Sequence, residues 1–235
     1  MPASATHPLE LRNVSGTCTD GTAINAINTT FAAGRLHILR GASEGGKNAL
    51  FRFAGLLERS MEGEVLIYGS ATRNLDDDAR TELRAQRFGF AFAAPFLLSS
   101  FSVIENVAMP LFKISQVDPE EARRRTESML EFVGLSGAVE ARIEELAEPA
   151  QYRVAIARGL VNEPAALLVE NIDGVLAGAD LEELAEVLRK AATTFGAAII
   201  ATASPEMKTQ ASDRVLDIHN GGIARDSEYL PEICE

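Results

Sequence analysis

Seven residues in the first quarter of the chain, Gly41–Lys47 with the letters GASEGGK, form a glycine-rich loop of the pattern G-x-x-x-x-G-K. An apolar run at Arg35–Leu39 precedes the loop, and Lys47–Leu57 after it carries apolar residues at helical spacing. A strand, a glycine loop and a helix in this order are the context of a phosphate-binding loop, in which backbone N–H groups surround phosphates and the lysine neutralises their charge. This order predicts a parallel α/β sheet.

The loop departs from that pattern in two places. Asn48 stands where a serine or threonine hydroxyl would hold Mg²⁺, and Glu44 adds a negative charge to a segment that would surround a polyanion. Lys47 also has a simpler structural interpretation, in which its ammonium group donates to backbone carbonyls of the loop. The candidate nucleotide-binding residues here are Gly41, Gly45, Gly46, Lys47 and Asn48.

The composition narrows the class of protein. The chain has 235 residues, of which 46% are hydrophobic and 24% charged, and this suits one folded α/β domain over residues 1–235. The net charge of −12 argues against nucleic acid and against direct docking on an anionic membrane. No apolar run approaches the roughly 18 residues of a membrane span. Cys18 and Cys234 lack the spacing of a metal or redox site, so we expect a cytoplasmic protein without metal ligands.

Apolar periodicity predicts strands that alternate with helices. The predicted strands are Leu9–Val14, Arg35–Leu39, Glu64–Tyr68, Phe88–Phe92, Ala165–Val169, Ala197–Thr202 and a hairpin of Arg214–His219 with Ile223–Arg225. The predicted helices are Lys47–Leu57, a helix that begins at Asp118-Pro119 and stops at Gly134, Gln151–Val161 and Leu181–Ala192. We therefore expect a parallel-sheet core with a helical subdomain inserted at about residues 95–160.

Several separated segments resemble, in the right order, the nucleotide-binding subunit of ABC transporters, and the resemblance runs from about Leu9 to Ala224. Beside the glycine loop, the segments are Phe88–Phe92, Phe96–Leu98, Val103–Leu111, Arg153–Arg158, Ala201-Thr202 and Pro205-Glu206. Within that family the chain looks closest to the branch of lipoprotein release, macrolide export and cell-division permeases. The resemblance implies the ABC ATPase fold, a P-loop NTPase-like parallel sheet core with an antiparallel β subdomain and a helical subdomain insertion.

The same resemblance shows that catalytic positions of the family are altered. Cys18 stands where an aromatic residue stacks on adenine, Ala93 where a glutamine senses Mg²⁺, and Ala203 where a histidine follows the strand. Glu170 and Asn171 replace the aspartate and glutamate that hold Mg²⁺ and polarise the attacking water. Glu170 can still reach a metal, whereas an asparagine cannot act as a base.

The signature Leu-Ser-Gly-Gly-Gln of the family is Leu146–Ala150 here, with the letters LAEPA. Ala147 removes a hydroxyl, Pro149 removes an N–H, and Glu148 puts a carboxylate where a phosphate anion would bind at the helix terminus. An ordinary helix start with proline in its first turn explains the same letters.

From these losses we predict a chain without catalytic residues that is not an enzyme: a catalytically silent pseudo-ATPase subunit that binds Mg-ATP weakly if at all. The alternative is an ATP-binding subunit that hydrolyses slowly and energises an ABC transporter. A third functional class is a small-molecule kinase on the same P-loop core. The sequence of Val103–Leu111 argues against it, because this segment matches transport subunits.

The apolar residues between the altered motifs are retained. In the family these residues line the cleft that receives a coupling helix from a membrane permease, although such residues also serve as core of the helical subdomain. The resemblance further implies a homo- or heterodimer that is peripheral to the inner membrane through its partner. The candidate docking residues are Phe92, Phe96, Leu97, Leu98, Phe101, Val103 and Val107.

Overall fold

The computed structural model describes residues 7–229, in which two sheets and seven α-helices form an α/β structure. The strands are β1 (Leu9–Thr17), β2 (Ala23–Phe31), β3 (Arg35–Arg40), β4 (Glu62–Ile67), β5 (Ser70–Ala71), β6 (Phe88–Ala91), β7 (Ala166–Val169), β8 (Ala198–Ala203), β9 (Arg214–His219) and β10 (Gly222–Asp226). The helices are α1 (Lys47–Ala54), α2 (Asp77–Arg87), α3 (Val103–Pro110), α4 (Pro119–Phe132), α5 (Glu148–Leu160), α6 (Ile172–Val175) and α7 (Gly178–Phe195).

The larger sheet has the strand order β10-β9-β3-β8-β7-β6. Its strands are parallel from β9 to β6, and β10 pairs antiparallel with β9 through the predicted hairpin. Every residue of β7 and β8 is buried, as expected for strands covered on both faces. Because the strands are parallel, β3, β8 and β7 all end at the same edge of the sheet, and this is where ligands bind in open α/β sheets.

The smaller sheet is antiparallel, with the order β2-β1-β4-β5. Sequence patterns did not predict β2, since its letters AINAINTTF are rich in asparagine and threonine. It forms because its apolar side chains, including those of Ile24, Ile27 and Phe31, are buried in one cluster with α1. This sheet is the antiparallel layer that the resemblance implied.

Helices α3, α4 and α5 lie between β6 and β7 in the chain, in the region predicted to be helical. The predicted start of α4 is confirmed, because the Asp118 carboxylate accepts hydrogen bonds from the N–H groups of Glu120 and Glu121 at 3.1 Å. The chain leaves α4 at Gly134, whose φ of +80° suits glycine. The boundaries of the helical subdomain, about residues 95–160, stay a prediction. Within residues 7–229, no helix has the length and apolarity needed to cross a membrane.

Candidate functional site

The glycine loop joins β3 to α1 at the shared edge of the larger sheet. A Cβ on Gly41 would lie 2.4 Å from the carbonyl oxygen of Ile218, and one on Gly46 would lie 2.6 Å from that of Ala23. Gly46 also has a φ of +101°, which disfavours any side chain. The loop is further tied to the β9–β10 turn by a 2.9 Å hydrogen bond from the N–H of Gly221 to the carbonyl of Gly45. Glycine is therefore required at 41 and 46 by close backbone contacts.

Lys47 is the first residue of α1, and only 5% of its surface is exposed. Its Nζ donates to the carbonyl oxygens of Gly41 at 2.6 Å and Ala203 at 2.9 Å. Burial lowers the pKa of the Lys47 ammonium, and the nearby carboxylates of Asp173 and Glu206 oppose this shift. The structure thus shows the lysine bonded to backbone carbonyls, which is the simpler of the two roles considered for it, at the position where phosphates would bind.

The predicted metal-facing residue lies at the same edge of the sheet. Glu170 directly follows β7, which is separated from β3 by β8 alone. Its carboxylate accepts a hydrogen bond from the N–H of Ala93 at 3.2 Å, and its backbone carbonyl accepts one from the Tyr152 hydroxyl at 2.5 Å. Asn48 is partly buried in the first turn of α1. Its amide oxygen and the Glu170 carboxylate are oxygen donors of the kind Mg²⁺ accepts, so these residues fit that ion chemically.

Asp173 has a contact that the sequence did not predict. Both of its carboxylate oxygens accept the N–H of Ser204 at 3.0 Å, which joins the start of α6 to the end of β8. Two residues earlier, the N–H of Asn171 donates to the Thr202 hydroxyl at 2.7 Å. A carboxylate four residues after a buried strand is a signal that sequence analysis could have used, but its partner is 31 residues away in the chain.

Cys18 follows β1 and is 4% exposed, packed in the apolar cluster of the smaller sheet. Burial, together with the nearby charges of Glu58 and Asp20, raises the pKa of its thiol to about 12. The side chain therefore faces the core and offers no flat surface to a nucleotide base. Cys234 lies outside the described residues.

The altered signature forms an ordinary helix start. Helix α5 begins at Glu148, three residues before the predicted start, because Pro149 fits the first turn of a helix. Glu148 is exposed, and no side chain among residues 7–229 caps this terminus. The Gln151 amide instead donates to the carbonyls of Ile143 and Leu146, which fixes the segment that leads into the helix.

The docking segment is divided by the structure into exposed and buried parts. Phe96, Leu98 and Phe101 are 69%, 43% and 39% exposed. Leu97 and Phe92 are partly buried, and Phe92 stacks on Phe90 with ring centroids 5.5 Å apart. Phe96 also has a φ of +47°, a costly conformation for an aromatic residue.

The buried side chain of Asn106 and the partly buried side chain of Arg158 hold this exposed loop in place. The amide of Asn106 contacts both backbone groups of Leu98, at 2.8 and 3.0 Å, and the carbonyl of Ser102 at 2.9 Å. The guanidinium of Arg158 donates to the carbonyls of Phe96 and Pro95 at 2.9 and 2.7 Å. A cleft of about 510 Å³ opens beside Phe96, with the phenylalanines of β6 among its walls.

Val103 and Val107 must be removed from the predicted docking surface. Both are 0% exposed and lie in the main apolar cluster with α4 and α5. They face inward because α3 lies against α5 and turns one stripe of side chains to that helix. They are core residues, as the simpler interpretation of this segment held.

A comparison with protein families agrees with this geometry. The family model described as "ABC transporter" matches residues 24–171, which is more than half of the chain. The chain belongs to the ABC transporter family. The glycine loop, Lys47 and Glu170 all lie within the matched range.

Relatives of this ABC subunit cover most of its length. The lipoprotein-releasing system ATP-binding protein LolD of Maricaulis maris is 35% identical over 88% of this chain and 96% of its own. The probable export ATP-binding/permease protein MacB of Pseudomonas entomophila is 30% identical over 91% of this chain, but over only 32% of its own length. The solved dimeric ABC transporter cassette MJ0796 has a TM-score of 0.81 at 27% identity, over 93% of this chain and 97% of that chain. The expected ABC ATPase fold is confirmed.

The prediction that this ABC subunit is not an enzyme is wrong. Its relatives are named as ATP-binding proteins, and the cassette MJ0796, at 27% identity and a TM-score of 0.80, has also been solved in a post-hydrolysis state bound to ADP and Pi. The family to which the chain belongs thus acts on ATP. Our prediction counted missing side chains and underestimated the backbone N–H groups of the loop, which are a large part of how such sites stabilise charge.

Proposed function

We propose that this chain is the nucleotide-binding subunit of an ABC transporter, which binds Mg-ATP at its glycine loop and hydrolyses it slowly to energise transport. The observation that carries the proposal is the loop itself. Gly41 and Gly46 pack so closely against other backbone that no side chain fits there, and the loop leads directly into Lys47 at the sheet edge that also bears Glu170. The loop N–H groups and Lys47 would hold the phosphates, while Asn48 and Glu170 would face the ion.

Hydrolysis should be slow for a chemical reason. Asn171 cannot accept a proton from the attacking water, and the methyl groups of Ala93 and Ala203 offer no hydrogen bond. The loss of one catalytic polar group lowers a rate by on the order of 10²- to 10⁴-fold, and such losses do not add. Bound Mg²⁺ would supply charge neutralisation at the phosphates.

The partner in this proposal is a membrane permease. MacB is named as an export ATP-binding/permease protein and matches this chain over only a third of its length, so in that relative the two parts belong to one protein. On this chain, Phe96, Leu98 and Phe101 are exposed on a loop that Asn106 and Arg158 hold rigidly. We place the subunit on the cytoplasmic side of the inner membrane, held there by the permease and paired with a second cassette.

Activity is tested with the subunit bound to its permease in nanodiscs. We expect steady-state phosphate release that Lys47→Ala abolishes and Lys190→Ala, a change at an exposed lysine of α7, leaves unchanged. Titration calorimetry with Mg-ATP measures binding separately from turnover. Phosphate release that persists undiminished in the Lys47→Ala variant would show that another ATPase is present, and the proposal would fail.

Docking is tested by charge substitution on the exposed loop. Phe96→Asp and Leu98→Asp should release the permease, since aromatic and apolar anchors commonly carry several kcal/mol of an interface. The matched control is Met61→Asp, because Met61 is 70% exposed against 69% for Phe96 and lies beside the smaller sheet, where the proposal places no partner. Retention of the permease by both loop variants in a detergent pull-down would contradict this docking surface.

A further inference from the structure

One peptide group connects Lys47 with Asp173. The carbonyl of Ala203 accepts the Lys47 ammonium at 2.9 Å, and the N–H of the next residue, Ser204, donates to both oxygens of Asp173 at 3.0 Å. That carbonyl and that N–H belong to the same peptide bond. A positive and a negative side chain therefore bind the two ends of one peptide dipole, each at the end that suits its charge.

This arrangement strengthens the bond that holds the lysine. A carboxylate on the N–H of a peptide polarises the group and makes its carbonyl a better acceptor, since hydrogen bonds in a chain reinforce one another. Both bonds have an ionised partner, and such hydrogen bonds are about twice as strong as neutral ones. Two of the three donors of the Lys47 ammonium are already used, on Ala203 and Gly41.

We propose that Asp173 is a positioning residue that holds Lys47 on the Ala203 carbonyl through this peptide and thereby limits the affinity of the site for nucleotide. The proposal rests on the proposed function, because the ligand that competes for Lys47 is the phosphate chain of ATP. Phosphates that draw the ammonium away must break its bond to Ala203. Asp173 thus sets how much of the lysine's binding energy is available to the ligand.

The peptide would stay in place without Asp173. The carbonyl of Ala203 also accepts the N–H of Gly41 at 3.3 Å, and β8 is paired with β3 up to the register of Arg40 with Ala203. Substitution at Asp173 should therefore change the strength of the Lys47 bond rather than unfold the end of β8.

The chain provides a matched control for charge alone. Glu206 is a second carboxylate close enough to Lys47 to act on its charge, yet it is exposed, and the hydrogen bond it forms with Ser204 runs from its own backbone N–H to the hydroxyl. Glu206→Gln removes a nearby charge and leaves the peptide bonds intact. Asp173→Asn removes the charge but keeps an acceptor for the Ser204 N–H, whereas Asp173→Ala removes both.

The first measurement needs no nucleotide. The chain has four lysines, Lys47, Lys113, Lys190 and Lys208, of which all but Lys47 are exposed and serve as internal standards. Mass spectrometry after brief reductive methylation should show Lys47 modified about tenfold faster in Asp173→Ala than in the unaltered chain, the effect of one lost charge-assisted bond. Asp173→Asn should raise the rate by less than about threefold because its acceptor remains. Equal rates in Asp173→Ala, Asp173→Asn and Glu206→Gln would overturn the proposal in favour of simple charge.

The second measurement is titration calorimetry of the same variants with Mg-ATP. Asp173→Ala should bind about tenfold more tightly than the unaltered chain, with Asp173→Asn between the two and Glu206→Gln near the unaltered value. Affinity that falls or stays constant in Asp173→Ala would refute the proposal. Faster methylation of Lys47 without nucleotide binding in any variant would confirm the contact with Asp173 and contradict the proposed function, so the two failures can be told apart.

Discussion

His37, the third residue of β3, is fully buried, and it should make the free energy of unfolding of this protein fall in mild acid. Its Nε2 lies 3.0 Å from the carbonyl of Ala32, and its ring packs edge-on against Phe31 at 5.2 Å. Its Nδ1 is buried without a partner among residues 7–229. Protonation would place a positive charge in this buried position and a second N–H at Nδ1, where no acceptor lies among the same residues.

Burial lowers the pKa of His37 from 6.5 to about 4. The bond to Ala32 and the carboxylate of Asp226 oppose the shift, and the guanidinium groups of Arg214 and Arg35 add to it. Because the folded-state pKa is the lower one, the unfolded chain binds more protons between the two values. The contribution of neutral His37 is complete above pH 6.5, falls as the pH drops below 6.5 and is fully lost below about pH 4. Between pH 7.5 and 5.0 the loss is about 2 kcal/mol.

The assay is urea unfolding at pH 7.5 and 5.0 of the unaltered chain and of His37→Gln, which cannot titrate and keeps an amide donor. The carboxylates titrate alike in both, so the difference between their pH-dependent losses isolates His37. We expect the unaltered chain to lose about 2 kcal/mol more than the variant over this interval. His219→Gln, a change at an exposed histidine, is the control and should behave as the unaltered chain does. Equal losses in the unaltered chain and His37→Gln would refute the reasoning.

Two further predictions concern buried polar groups. In a Cys234→Ser background, Cys18 should resist iodoacetamide at pH 8 and react on unfolding in urea, because burial holds its thiol protonated; rapid labelling of the native chain would contradict its position in the core. Asn106→Ala should lower the free energy of unfolding by about 3 kcal/mol, since it leaves the backbone groups of Leu98 and Ser102 without partners. Asn106→Asp keeps the acceptor for the Leu98 N–H but turns an oxygen toward the carbonyls of Leu98 and Ser102, so it should lose at least as much, and a clearly smaller loss would show that the amide donors are unimportant.

Patterns within short stretches of sequence determined much of this protein. The order of strand, glycine loop and helix predicted the position of the loop at the end of β3. It did so because close backbone contacts at Gly41 and Gly46 require glycine there. The Asp118-Pro119 pair predicted the start of α4, since capping depends on residues within one turn. Strands β7 and β8 were predictable because strands buried on both faces read as continuous apolar runs.

Contacts between distant segments were decided only by the tertiary structure. Strand β2 forms because β1 offers it a partner, although its own letters favour a loop. The apolar residues of the predicted docking segment have different environments in the fold. Val103 and Val107 are buried against other helices, whereas Phe96 is exposed. One of the two partners of Lys47, the backbone carbonyl of Ala203, is 156 residues away, so no side chain in the sequence marks it. Local periodicity reports which residues a segment can bury, whereas the fold decides which groups meet, because strand order brings distant residues to one edge of the sheet.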